Sequence, residues 1–421
     1  MIMTGAGWLG GPSGSLRLMP VETSVPIARP EVSRAVGAVY VAFIGSGFAF
    51  ASWASRIPQV RDHLNLTPGQ LGFVLLAIAV GSIMALPTSG AVVARIGEAR
   101  TVTLSATTLS VGLAVAAIGY SVGVPLLAAG LFLMGAGNGA WDVAMNVQGA
   151  SVERLLQRSI MSRFHAGFSV GTVAGAGVGA GMIALGVPVP AHLLIVAAAT
   201  VTVVPWAVLT GFLPHIAAED EHAAKGATRR AWRERRTVLI GLFVLCMAFT
   251  EGTGNDWVGV AVIDGYHASD TLGTVALATF LGAMTAGRWF GPGLIDRYGR
   301  VPVVRSCSLL AFIGLMTVVF GHVLVLAYVG MVLWGLGASL GFPTGISAAA
   351  DDPAHAAARV SVAASVAYVA FLAGPPLIGF VGDHVGVLRG LTVAAGLLAI
   401  SVLLSGATAP VRAGSDQPQR Q

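Results

Sequence analysis

The sequence predicts an all-α membrane protein with twelve transmembrane helices in two pseudo-symmetric six-helix bundles. Three observations predict this fold class: the composition, the recurrence of long apolar stretches, and a repeat between the two halves of the chain. The 421 residues are 55% hydrophobic and only 10% charged, and their mean hydropathy is +0.80. Soluble domains carry about 25% charged residues. The composition therefore indicates a chain that resides in a lipid bilayer.

Apolar stretches recur along the chain at the length that a membrane-spanning helix needs. About 20 helical residues cross the ~30 Å hydrocarbon core of a bilayer. A membrane β-barrel would instead show alternating segments of about ten residues. We predict spans at 34–55, 68–94, 101–120, 125–149, 163–185, 190–213, 237–262, 271–294, 301–321, 323–349, 359–381 and 388–409.

The basic residues are distributed unevenly between the loops. With both termini in the cytoplasm, only Arg56, Arg61 and Arg389 lie near the outer face. Loops rich in Lys and Arg stay on the cytoplasmic side of a membrane. We therefore predict a multi-pass protein of the cytoplasmic (inner) membrane with both termini in the cytoplasm. The sequence pI of 9.7 then reflects topology, and we expect no nucleic-acid partner.

The longest polar stretch between spans divides the chain into two sets of six helices. It is acidic at first and then basic, and it predicts a cytoplasmic linker at 214–236 between bundles at 34–213 and 237–409. Residues 1–33 contain no apolar core of signal-peptide length, so we expect a disordered cytoplasmic tail there. Residues 410–421 form a second cytoplasmic tail.

Two motifs occur once in each half. Gly135 and Gly137 in the fourth span correspond to Gly335 and Gly337 in the tenth when the sequence is shifted by 200 positions. The second motif lies in the loops after the second and eighth spans. Its residues are Gly90, Arg95, Gly97 and Arg100 in the first copy and Asp296, Arg297, Gly299 and Arg300 in the second. Two sequence repeats predict two bundles related by pseudo-symmetry.

These loops resemble the cytoplasmic signature Gly-x-x-x-Asp-Arg-x-Gly-Arg of the major facilitator superfamily of secondary transporters. The resemblance covers nearly the whole chain and implies that the eight loop residues named above act in gating between the two bundles. The second copy, Asp296-Arg297-Tyr298-Gly299-Arg300, matches well, whereas Ala94 stands where the first copy would carry its acid. The alternative is that the loops are tight turns whose arginines only anchor the topology.

A tract in the fourth span carries a finer resemblance. Trp141-Asp142-Val143-Ala144-Met145-Asn146 is similar to the Leu-Glu-x-x-Ala-Asn-Pro tract of the fucose permease group of proton-coupled sugar transporters. The longer run through Phe168-Ser169 resembles the YbjJ-like branch of the superfamily. Fucose-type permeases also carry an acid four residues before a proline in the first span. Ala54 occupies that place here, so the fucose mechanism does not transfer directly.

Two carboxylates are predicted inside the membrane, one in each half. Asp142 shares a helix face with Asn138 and Asn146 at four-residue spacing. Glu251 and Asn255 share a face of the seventh span. A charge at the centre of a bilayer costs at least about 2.5 kcal/mol, so we expect functional roles for both acids.

We expect Asp142 and Glu251 to couple transport to protons and, with the three asparagines, to bind substrate. Burial shifts carboxylates toward protonation near neutral pH, which proton coupling requires. The alternative is that each acid is a structural polar group tied to a neighbouring helix. Asp256 lies close to the predicted end of the seventh span, so we expect it to reach the outer headgroups.

Two further ionisable residues are candidates near the membrane. His165, close to the start of the fifth span, titrates in the physiological range and is a candidate proton relay; the alternative is an interfacial residue at the helix start. Arg288 in the eighth span needs a counter-charge or a wet path to the surface. Arg288 is close to Asp296 in the sequence, which favours a partner in the cytoplasmic loop.

Four aromatic residues near the polar faces are candidates for stacking on a solute. They are Phe50, Trp53, Trp141 and Trp257. Aromatic rings suit sugars and other flat-faced solutes. Tryptophan at a helix end is also common in the interfacial belt, so Trp53 and Trp257 fit a cavity and the belt equally well.

Several functional classes lack their motifs. The only lysine, Lys225, precedes a glycine, so the chain has no phosphate-binding Gly-Lys-Ser/Thr loop, and no His or Cys group has metal-ligand spacing. We expect no enzyme activity, no cofactor and no metal. The predicted function is alternating-access transport of a small polar solute by a monomer, coupled to protons. Sugar import, proton-driven export of drugs or metabolites, and a non-transporting sensor remain alternatives.

Overall fold

The computed structural model describes residues 29–156, 160–214, 229–352 and 355–410. Most of the predicted N-terminal tail, most of the linker and the C-terminal tail, at 1–28, 215–228 and 411–421, lie outside the described residues. The described residues form helices and contain no strand. The predicted all-α membrane fold is therefore confirmed.

Among the described residues, seven helices form the N bundle, and the later helices form the C bundle. The N bundle comprises α1 (Arg29–Ala54), α2 (Ile57–His63), α3 (Pro68–Ile96), α4 (Glu98–Val122), α5 (Val124–Leu156), α6 (Met161–Ala184) and α7 (Val189–Gly211). The C bundle comprises α8 (Arg235–Tyr266), α9 (Asp270–Phe290), α10 (Pro292–Tyr298), α11 (Arg300–Phe320), α12 (Leu324–Ala338), α13 (Gly341–Ala349), α14 (Ala356–Val385), α15 (Val387–Gly390) and α16 (Thr392–Leu404).

The described helices account for the predicted spans. Eleven helical segments of the described residues are long and apolar enough to cross a membrane. The predicted span 271–294 corresponds to α9, which has 21 residues and packs against α6, α8 and α12. Its threonines, glycines and charged ends lower its hydropathy, which is why it is not among the eleven.

The repeated loop motif has a backbone reason in both halves. Gly97 separates α3 from α4 with φ of 79°, and Gly299 separates α10 from α11 with φ of 85°. Side chains are strained at positive φ, whereas glycine adopts it readily. Each glycine thus ends one helix and begins the next at equivalent places in the two bundles.

Glycine contacts within each bundle repeat the same packing. A Cβ atom added to Gly137 would lie 2.6 Å from the Leu109 nitrogen on α4. A Cβ atom added to Gly337 would lie 2.3 Å from the Ala311 nitrogen on α11. Both distances are far inside van der Waals contact, so only glycine lets these helix pairs approach so closely. The pairs α4–α5 and α11–α12 are therefore equivalent, as pseudo-symmetric bundles require.

The bundles meet along two pairs of helices. α3 of the N bundle packs against α14 of the C bundle, and α6 packs against α9. We name the membrane side that holds Pro214 and Arg229, the described ends of the inter-bundle connection, the linker side. The other side is named the opposite side.

Candidate functional site between the bundles

A cavity of about 300 Å³ lies between the bundles at mid-membrane. Helices α1, α3, α5 and α6 line it from the N bundle, and α8, α9 and α14 line it from the C bundle. Its chemically distinctive lining residues are Asn138, Asp142, Glu251, Asn255, Asp256 and Tyr368. Residues from both halves of the sequence thus converge on one space.

Asp142 lies near the middle of the 33-residue helix α5 and is exposed in the cavity. Its Oδ1 accepts a hydrogen bond of 3.1 Å from Asn146 Nδ2, which also donates to the Asp142 carbonyl at 2.7 Å. Asn138 lines the cavity one turn earlier, and its Oδ1 accepts from Ser46 Oγ at 3.0 Å. Asn146 therefore orients the carboxylate, and Asn138 presents its amide nitrogen to the cavity.

Glu251 forms a bidentate ion pair with Arg288. The Arg288 Nη2 donates to both carboxylate oxygens of Glu251, at 2.7 and 2.8 Å. Arg288 also donates to the Ser339 carbonyl at 3.3 Å and to Ser169 Oγ, across the bundle interface, at 3.4 Å. The expected loop partner for Arg288 is wrong, because Glu251 lies within direct reach on the adjacent helix α8.

Asp256 lines the cavity. The expectation that it reaches the outer headgroups is therefore wrong. The prediction placed the end of the span at residue 262, whereas α8 has 32 residues and ends at Tyr266. Asp256 therefore lies deeper in the membrane than its distance from the predicted boundary indicated. The structure gives its carboxylate no hydrogen-bond partner among the described residues, and the neighbouring Asn255 has a buried Oδ1 without a partner.

The aromatic candidates divide into two groups. Phe50 lines the cavity, together with Phe168, Tyr368 and Phe371. Trp53, Trp141 and Trp257 do not line it: each is at most 1% exposed and packs in the cores of the bundles. The three tryptophans therefore belong neither to the cavity surface nor to an interfacial belt in this conformation. Tight packing inside each bundle explains their placement.

His165 lies outside the cavity lining. Its ring makes an edge-to-face contact with Phe43, with 5.1 Å between ring centroids. The side chain is exposed, and Ser169, one turn further along α6, contacts Arg288. The position is compatible with a relay between the linker side and the Arg288–Glu251 pair, and that role stays a prediction.

Polar contacts close the cavity toward the opposite side. The Arg61 guanidinium, on the short helix α2, donates to both oxygens of Asp264 at the end of α8, at 2.5 and 2.8 Å. Asp383 on α14 accepts from the Gly69 amide at the N-terminus of α3 at 3.0 Å. Thr274 donates to the Ser55 carbonyl at 3.2 Å. Each of these contacts joins the two bundles.

Close backbone packing of α3 against α14 completes this closure. A Cβ atom added to Gly72 would lie 2.4 Å from the Pro375 carbonyl oxygen, and one added to Gly379 would lie 2.4 Å from that of Pro68. The cavity is partly open. The opposite side is closed, and the lining on α3 runs from Leu75 to Leu86, so the cavity extends toward the linker-side end of that helix.

Gly72→Ala is expected to prevent the opposite side from closing fully. The added methyl group meets backbone, and overpacking of this kind costs about 1–3 kcal/mol, enough to lower the ratio of closed to open states about fivefold or more. In a variant without the native cysteines, a maleimide applied at the opposite side should then label Phe50→Cys faster. Gly181→Ala is the matched control, because a Cβ atom there meets nothing within 4 Å. Unchanged labelling would show that this contact does not control closure.

The predicted gating residues lie on the linker side. Gly90, Arg95 and Arg100 are exposed on the N bundle, and Asp296 and Arg297 are exposed on the C bundle. Arg300 instead donates to Asp351 at 2.8 Å, and Arg236 donates to the other oxygen of that carboxylate at 2.7 Å. The Arg300–Asp351–Arg236 cluster lies within the C bundle, as expected for a conformation in which the linker side is open.

A second linker-side pair fixes the start of α8. Arg359 Nε donates to Glu234 at 2.6 Å, and Thr237 Oγ1 donates to the same carboxylate at 2.9 Å. The hydrogen bond from Arg359 holds the pKa of Glu234 below its usual range. Glu234 therefore stays ionised at neutral pH and ties α14 to α8 at the entrance to the C bundle.

The profile of the Major Facilitator Superfamily matches residues 38–375. The chain belongs to this superfamily. This superfamily member is 30% identical over 346 residues to the uncharacterized transporter y4wD of Sinorhizobium fredii, covering 82% of the chain and 90% of that protein. The resemblance inferred from the loop and span motifs is thereby confirmed.

Two solved transporter structures share the fold. The nucleoside transporter NupG superposes with a TM-score of 0.69 at 15% identity, covering 89% of this chain and 98% of that one. The transporter FucP in its outward conformation superposes with a TM-score of 0.61 at 16% identity, covering 90% and 99%. At these identities the likeness shows the fold alone.

Sequence reasoning missed several residues of this superfamily member's cavity and closure. Tyr368 lines the cavity, and Arg61, Asp264 and Asp383 close its opposite side. Tyr368 was detectable as a polar side chain in an apolar span. In the sequence, Arg61 indicates only which loops face the outer side of the membrane. Its pairing with Asp264, 203 positions away, has no local sequence signal.

Proposed function

We propose that this transporter carries a small polar solute through the central cavity by alternating access, coupled to protons. The observation that carries the proposal is Asp142, a mid-membrane carboxylate exposed in a cavity between the bundles that is closed on one side and open on the other. Such a carboxylate gains and loses a proton as the bundles change their exposure to each side.

Asp142 and Glu251 have different partners, which supports different roles for the two acids. Glu251 is neutralised by Arg288, whereas Asp142 has only hydrogen bonds within its own helix. We assign proton binding first to Asp142, and we assign to the Glu251–Arg288 pair the role of a fixed polar wall. Asn138 and Asn255 line the cavity and supply amide groups for a polar solute.

We also propose that the linker side is the cytoplasm and that the protein is a monomer in the inner membrane. Arginines cluster at the linker-side ends of the helices, for example Arg95, Arg100, Arg297 and Arg300, and such clusters mark the cytoplasmic side. The cavity is formed within one chain, so transport needs no second copy.

Flux through purified protein in liposomes tests the proposal. We expect a pH gradient to drive accumulation or release of a polar solute by protein-containing liposomes and not by empty ones. Collapse of the gradient with a protonophore should abolish the effect. Solute movement that ignores the pH gradient would contradict proton coupling, and absence of any movement across a broad panel of polar metabolites would contradict transport.

A further inference from the structure

We propose that the cavity binds a solute that carries a protonated amine, and that this ammonium group and protons occupy the same carboxylates in turn. The inference rests on the proposed function, because it names the class of solute that the transporter carries. It follows from the charge balance of the cavity, from its unpaired acceptors and from its aromatic walls.

The cavity has an excess of negative charge. Its lining holds three carboxylates, Asp142, Glu251 and Asp256, and the described cation paired with them is Arg288. With all of these groups ionised, two negative charges remain uncompensated. Charge at mid-membrane is costly unless it is neutralised by protons or by a bound cation. An anionic solute would add to the cost, since Arg288 is already occupied by both oxygens of Glu251.

The remaining elements around the cavity leave this balance unchanged. α6 contributes His165 outside the lining, next to the Arg288 end of the cavity, and α14 contributes Tyr368. The lining residues from α1 and α3 include Phe50 and Ser82 and no ionisable side chain. The uncompensated charge therefore belongs to Asp142 on one wall and Asp256 on the other.

The free polar atoms are mainly acceptors, which suits N–H donors. The Asp256 carboxylate lines the cavity and has no hydrogen-bond partner among the described residues. Asp142 accepts only from Asn146 on its own helix. An ammonium group supplies three donors and no acceptor, so it can satisfy such atoms without leaving a new unpaired group.

Aromatic rings complete the site. Phe50 and Phe168 come from the N bundle, and Tyr368 and Phe371 come from the C bundle. Faces of such rings attract cations, and the attraction grows when water is displaced. A polar neutral solute could stack on the same rings, but it would leave the two negative charges in place.

Competition between solute and proton follows directly. At low pH, protons neutralise Asp142 and Asp256, and the ammonium group loses its attraction. At higher pH, binding of the ammonium group displaces the protons that remain. Binding therefore releases protons, and the transporter exchanges the amine for protons across the membrane.

Matched solute trios test the solute class. Each trio keeps one carbon frame and changes the charge: glucosamine, glucose and glucuronate form one trio, and phenethylamine, phenylethanol and phenylacetate form another. We expect the amine of a trio to raise the unfolding temperature of the detergent-purified full chain more than its alcohol or its carboxylate does. Calorimetry in two buffers of different ionisation enthalpy should report proton release on binding.

The pH dependence and one variant sharpen the test. Each unit by which the pH is lowered should weaken the affinity for the amine by up to about tenfold, in the pH range where binding releases one proton. Asp256→Asn should weaken amine binding and flatten this dependence. Asp270→Asn is the matched control, because it makes the same change in the first turn of α9, away from the cavity lining. The folded state of each variant is checked by its unfolding temperature without solute.

The outcomes separate this inference from the proposed function. If no amine binds more tightly than its matched alcohol and carboxylate, the inference that the solute is an amine is wrong. The same conclusion follows if no compound of the trios binds. If a pH gradient nevertheless drives liposome flux of an alcohol or a carboxylate, the proposed transport function is retained and only the amine inference is rejected. If an amine binds with proton release and is not moved across the membrane, the site stands and the transport function fails.

Discussion

Asp142→Asn is expected to abolish solute movement driven by a pH gradient while leaving the protein folded. Asparagine cannot bind and release a proton, but its Oδ1 can still accept the hydrogen bond from Asn146. The variant keeps the size of the side chain and removes a charge from mid-membrane, so the fold loses nothing that its packing requires. Flux into proteoliposomes across a pH gradient, with the unfolding temperature measured beside it, gives both quantities.

Two further variants define what the loss means. Asp270→Asn makes the same chemical change outside the cavity, and its flux should match that of the unsubstituted protein. Asn146→Ala removes the donor that orients Asp142 and should reduce the flux without abolishing it. Undiminished proton-driven flux in Asp142→Asn would remove this residue from the coupling mechanism.

Arg288→Met is expected to cause a large loss of stability, because Arg288 is the partner of Glu251 in the cavity lining. It leaves the Glu251 carboxylate without its cation in a setting where both side chains are mostly buried, at 20% and 18% exposure. Removal of one member of a buried ion pair costs about 3 kcal/mol or more, because the other charge remains uncompensated. Thermal unfolding in detergent should show the decrease.

A double-mutant cycle distinguishes this ion-pair effect from lost packing. Glu251→Gln combined with Arg288→Met removes both charges, and we expect it to be more stable than Arg288→Met alone. Restoration would show that the unpaired carboxylate causes the damage. Equal stability of the single and double variants would instead assign the loss to the contacts of Arg288 with Ser169 and Ser339.

Local sequence signals predicted the fold because a bilayer constrains it so strongly. Apolar length determines the spans. The repeated glycines were visible in the sequence as motifs, and the structure gives their causes: Gly97 and Gly299 adopt positive φ, and Gly137 and Gly337 lie in close helix contacts. The polar face of α5 was also readable, because Asp142 stands out against its apolar surroundings.

Other parts of the site depend on distances that no local pattern encodes. The pairing of Arg288 with Glu251 depends on how α9 lies against α8, and the closeness of Arg288 to Asp296 in the sequence gave the wrong partner. The depth of Asp256 in the membrane depends on where α8 ends. The predicted end of this span was a few residues too early, so Asp256 was predicted at the headgroups instead of in the cavity. Tryptophans in apolar spans gave no sign of whether they face a cavity or a core.

The polar closure by Arg61, Asp264, Asp383 and the Gly69 amide determines which step of the transport cycle has to break contacts between the bundles. Given the orientation proposed above, these bonds stabilise a conformation in which the cavity is closed toward the outside. Loading from outside would first have to break them, whereas loading from inside would not. These contacts therefore determine which step of the cycle must open the protein toward the outside, while the gradients across the membrane determine the net direction of transport.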